Sequence, residues 1–90
     1  MNATELIDLV AQRAGLGDAG ALIAAGRATE YVRARAVAVK ILTEWRLGPH
    51  EISRLLKRTP KAVRYLREAW PHVWAKDAIA VRLYEDCRQI

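Results

Sequence analysis

The chain has 90 residues, a formal net charge of +5 and 28% charged residues. That length gives one domain, 1–90, with a modest core, and leaves no room for a second. Apolar residues make up 52% of it, which excludes a disordered tail, while the absence of Phe leaves the core to Leu, Ile, Val, Ala, Trp and Tyr.

The charge is unevenly placed. Residues 1–30 carry two basic and four acidic groups, net −2, whereas residues 31–90 carry 13 basic and 6 acidic groups, net +7. Within 33–67 there are ten cations against Glu44 and Glu51 alone, net +8, so the positive field is central. Cys87 stands alone, which rules out an intramolecular disulfide and suits a reducing cytoplasm. The start, MNATELIDLVAQR, has acids inside its apolar pattern and no basic leader segment. The longest weakly polar stretch, 19–26, is too short to span a bilayer. A cytoplasmic, nucleoid-associated protein is expected.

In chain order, Asn2 and Glu5 are spaced as a capping pair for a helix over 3–14, which Gly15 and Gly17 end. Asp18 is placed to cap a short helix contributing Leu22 and Ile23 and stopping at Gly26. Thr29 opens a long run through Arg46 whose apolar positions, Trp45 included, point to a helix buried on more than one side. Gly48-Pro49 starts the next helix, about 49–56, with Leu47 and Ile52 as a staple and Ile52, Leu55 and Leu56 turned inward. Lys57 and Arg58 make the turn. Thr59-Pro60 then starts a helix to about Trp70, which Pro71 ends or kinks. A last helix built from Val73, Trp74, Ala78, Ile79, Val81, Leu83 and Tyr84 covers the core. The expected fold is all-α, with five to six helices and a helix-turn-helix at about 49–70.

Stepping 100° per residue along 60–70 puts Val63, Leu66 and Trp70 on one side and Lys61, Arg64, Tyr65 and Glu68 on the other. From Arg54 to Arg67 six cations run with no acid between them. An uncompensated basic run on an ordered element favours a polyanion, and double-stranded DNA is the expected partner. Lys61, Arg64 and Tyr65 are the candidate base-reading residues. Arg54, Lys57, Arg58 and Thr59 are candidates for phosphate, because the first helix and turn of such a pair cross the backbone. A solvated helix face is the competing reading of the same cations.

The segment LIAAGRATEYVRARAVAVKILTEW at 22–45, followed by PHEISRLLKRTPKAV at 49–63, resembles the C-terminal DNA-binding domain of the bacterial chromosomal replication initiator, DnaA. The first stretch is similar to that family's basic loop and arginine-led long helix. The second is similar to its two-helix reader, with Glu51-Ile52 matching a Glu-Ile pair. The resemblance implies that Arg27 enters the minor groove and that Arg33 and Arg35 hold phosphates. Two stretches differ: an Asp-His-Thr-Thr run of the family is replaced by Thr59, Pro60, Lys61 and Ala62, and Ala25 and Gly26 stand where cations are usual. With five to seven phosphates engaged, the expected salt slope of log K is about −5.

The function expected is a sequence-preferring DNA-binding regulator of transcription or replication, with RNA polymerase or replication proteins as further partners. Oligomeric state is open. A small-terminase-like DNA-packaging subunit and a protein-interaction module acting through Trp74, Ile79 and Leu83 are the alternatives. Trp45, Trp70 and Trp74 are expected in the core. His50 and His72 have no partner ligands at metal spacing, Ser53 and Cys87 lack the setting of a nucleophile, and no phosphate-cradling glycine loop is present. No enzyme activity, metal or cofactor is expected.

Overall fold

Helix-start signals this dense leave little of the chain outside helices, and the computed structural model, which describes residues 1–24 and 26–89, is all-helical. Ala25, one of the residues that differ from the initiator pattern, lies outside the described residues. The helices are α1 (Ala3–Arg13), α2 (Ala19–Ala24), α3 (Thr29–Glu44), α4 (Pro49–Leu56), α5 (Pro60–Ala69) and α6 (Ala78–Arg88), with a 3-10 turn at Trp74–Lys76 before α6. The described part is nearly isometric, 27 × 27 × 26 Å.

Each start has a physical cause. The Asn2 side chain accepts from the Glu5 N–H at 2.8 Å, and Glu5 accepts in return from the Asn2 N–H at 3.1 Å, which is the reciprocal box expected from the sequence. Gly48 precedes Pro49, and its N–H donates to Glu51 Oε1 at 3.3 Å. Thr59 Oγ1 accepts from the Ala62 N–H at 3.1 Å, so α5 begins at Pro60 with one orphan donor satisfied. Asp77, not anticipated from sequence, caps α6 by accepting from the Ala80 N–H at 2.9 Å.

The ends are as informative. After α1, Gly15 takes φ +74°, its N–H donates to Gln12 O, and the Leu16 N–H donates to Ala11 O. This is a Schellman closure with glycine at the left-handed position. The same closure recurs after α3 with Arg46 (φ 69°); after α4, Lys57 (φ 52°) takes the left-handed position with the Lys57 and Arg58 N–H groups both donating to Ser53 O, and both non-glycine residues occupy this region at a steric cost.

The core centres on α3, whose Ala34, Val37, Ala38, Val39 and Leu42 are fully buried. Leu6, Ile7 and Val10 of α1, Ile52 and Leu56 of α4, Val63 of α5 and Ala80 of α6 close over it. The last segment departs from expectation. Val73 and Ile79 are exposed: Val73 lies ahead of the 3-10 turn, outside any helix, and Ile79 sits in the first turn of α6, off the stripe of Ala80, Leu83 and Cys87 that faces the core. Trp45 is also not a core residue. It sits at the C-cap of α3, where the chain turns away at Arg46, and it is 38% exposed. Trp70 and Trp74 are buried as expected. No helix is long and apolar enough to cross a membrane among the described residues.

Candidate nucleic-acid interface

The helix pair α4–α5 is joined by Lys57, Arg58 and Thr59. Ile52 and Leu56 from α4 and Val63 and Leu66 from α5 face the core, which forces the opposite side of α5 outward. Lys61, Arg64 and Glu68 are exposed there, and Tyr65 is 70% exposed. The base-reading candidates therefore share one solvent face of one helix. Arg54 and Lys57 are exposed on α4 and the turn, and Thr59 is exposed with its oxygen engaged in the cap. Among the described residues, none of Arg54, Lys57, Lys61, Arg64 and Arg67 forms an ion pair.

A groove of about 490 Å³ runs beside the start of α5, lined by Arg27, Val32, Arg35, Arg58, Thr59, Lys61, Ala62, Tyr65 and Leu66. Arg27, exposed in the connection before α3, is thus brought next to Lys61 and Tyr65 although 34 or more positions separate them in sequence. Four cations and no acid line this groove.

Two of the arginines assigned to phosphate are not available for it as expected. Arg35 is only 5% exposed, with Nε donating to Leu22 O at 2.9 Å and Nη2 to Gly26 O at 2.8 Å. Burial, and secondarily the nearby Arg58 charge, lowers its pKa from the ordinary arginine value. Its guanidinium binds protein backbone inside the fold, so the phosphate role assigned to Arg35 is corrected. Arg33 donates from Nε to Asp77 Oδ2 at 3.2 Å and lines a different groove, of about 390 Å³, with Arg13, Glu30, Ile79, Arg82 and Asp86. The structure does not bring it to the α5 face. Arg58 is half-buried and donates from Nη1 to Ile23 O at 2.9 Å, a bond spanning 35 positions.

The rest of the molecule buttresses this face. Tyr84 donates to Glu44 Oε2 at 2.6 Å and packs against Trp70 with ring centroids 5.4 Å apart, tying α6 to α3 behind α5. Its phenol is pushed up to about 12, first by burial and then by the Glu44 carboxylate. Burial also raises the Cys87 thiol, which is 2% exposed. Trp74 and Leu83 lie in the core, so the apolar surface of a protein-interaction module is reduced to Ile79. Among the described residues no three His, Cys, Asp or Glu side chains gather as a metal site.

No protein-family model, curated protein or solved structure matches the chain. The geometry of this face therefore carries the functional reading.

Proposed function

We propose that this protein binds double-stranded DNA with sequence preference, as a regulator of transcription or replication, using α4–α5 as a helix-turn-helix. α5 enters the major groove, with Lys61 and Arg64 reaching base edges and Tyr65 packing on a thymine methyl or bonding a phosphate. Arg54, Lys57 and the turn hold the backbone, and Arg27 reaches into the adjacent minor groove. The resemblance of 22–63 to the initiator's DNA-binding domain supports this arrangement, with a different base-reading edge. One observation carries the reading: the exposed side of α5 and its neighbouring groove gather Arg27, Lys61, Arg64 and Tyr65 with no acid lining that groove.

With Arg33 and Arg35 withdrawn, the exposed cations of this face are Arg27, Arg54, Lys57, Lys61 and Arg64. The salt slope of log K should then be no steeper than about −4.5, since each neutralised phosphate contributes about −0.9. Fluorescence anisotropy on a random-sequence duplex, titrated from low to physiological salt, tests this. Absence of binding at low salt contradicts the proposal.

A further inference from the structure

We infer that Arg35 and Arg58 are positioning residues, whose guanidinium groups hold the carbonyls at the end of α2 and so fix Arg27 beside the start of α5. The inference rests on the DNA-binding reading for its consequence, but not for its geometry. In sequence both residues look like surface phosphate clamps. In the fold, Arg35 takes Leu22 O at 2.9 Å and Gly26 O at 2.8 Å, and Arg58 takes Ile23 O at 2.9 Å.

Those acceptors are not incidental. Leu22 and Ile23 lie in the last turn of α2, whose final carbonyls have no intrahelical donor and form the negative end of the helix. Gly26 is the residue immediately before Arg27, so a carbonyl one peptide away from the minor-groove candidate is anchored to a side chain buried in α3. Arg58 supplies the second anchor from the α4–α5 turn itself. Its bond joins the reader pair directly to α2, an element that packs mainly on α1 and α3. The two guanidiniums repel one another, and each is held by backbone oxygens in spite of it. A planar fork can span carbonyls in two directions, whereas a lysine ammonium is a point charge on a flexible stem. The loop arginine is thus placed before any DNA arrives, which removes an ordering cost from binding.

The test is a double-mutant cycle on the full chain, with Arg58→Lys and Arg27→Ala made singly and together, and duplex affinity measured at fixed salt. Lysine keeps the charge and so preserves any simple phosphate contact. Expected is about a tenfold loss for Arg58→Lys alone and less than a twofold further loss when Arg27 is already Ala, because Arg58 then has nothing left to position. Equal losses in both backgrounds overturn the inference. A second readout needs no DNA: backbone ¹⁵N relaxation at Gly26 and Arg27 in the free protein should show lower order in Arg58→Lys and in Arg35→Lys. Unchanged relaxation in Arg58→Lys overturns the inference even if Arg35→Lys fails to fold. If the wild-type chain binds no duplex, the DNA reading fails, and the relaxation result still decides whether the two arginines hold the loop.

Discussion

Two grooves among the described residues are lined by several arginines, and they differ in what answers their charge. The groove between α1, α3 and α6 holds Arg13, Arg33 and Arg82, but Glu30 and Asp86 line it too, and Arg33 is 3.2 Å from Asp77. The groove beside α5 holds Arg27, Arg35, Arg58 and Lys61 and no acid. Similar residue types therefore serve different ends. In the first groove cations and acids sit together and contribute to the packing of α6 on α3, at the modest value of partly exposed pairs. In the second, buried Arg35 and half-buried Arg58 hold backbone carbonyls, and the exposed cations are left with an uncancelled field that favours a polyanion. A count of arginines cannot tell these grooves apart, but the acids around them can.

The comparison can be broken most forcefully in the core that holds the α4–α5 pair. Ile52, 1% exposed, anchors α4, and Ile52→Ala should lower stability by about 2–5 kcal/mol, as deletion of a buried aliphatic side chain does. Chemical denaturation reads it. Duplex affinity measured well below the melting temperature should change little, because no charge has moved.

Asp77 sharpens the first groove. The Ala80 N–H first, and the Arg33 guanidinium after it, hold its carboxyl below the ordinary aspartate value. A carboxylate with a depressed folded-state pKa contributes stability above its unfolded pKa, about 4, and that contribution is lost as pH falls through the lower folded value. Asp77→Ala should cost about 1 kcal/mol at neutral pH, through the lost cap, and melting curves of variant and wild type should converge as pH drops below 4. A constant gap down to the acid limit contradicts the assignment. DNA affinity is expected to be untouched.

Lys57 offers the smallest effect and the most telling sign. It holds φ 52° where glycine is the unstrained choice. Lys57→Gly should raise stability by up to about 1 kcal/mol while weakening duplex binding several-fold. Loss of both stability and affinity would mean that the lysine stem, and not its charge, matters at the turn.

How much of this was legible in the sequence depended on how local the cause was. Gly48-Pro49 and Thr59-Pro60 predict where α4 and α5 begin because a cap and an N1 proline act within one turn, and the structure starts both helices there. The outward set on α5 follows from 100° steps along a helix buried on one side. Periodicity failed at helix ends: Trp45 has the spacing of a core residue, but the chain leaves the helix there, and Ile79 lies in the first turn of α6, off its buried stripe of Ala80, Leu83 and Cys87. The Asp77 start signal is equally local, but it lies inside the apolar run 73–84 and is masked by it. Arg35 was illegible for another reason. Its burial depends on carbonyls 9 and 13 positions away, and nothing in a run of basic residues announces which of them the fold will enclose.

The central claim is that the α5 face and not the α1–α6 groove meets DNA, and one paired measurement decides it. Lys61→Ala/Arg64→Ala and Arg13→Ala/Arg82→Ala each remove two positive charges, so the general loss of positive field is matched. At equal salt the first pair should lower affinity for a selected duplex about 100-fold or more, in keeping with about 1–3 kcal/mol for each base contact. The second should change it less than about threefold, the share expected from long-range charge alone. Equal losses from the two pairs would contradict the account.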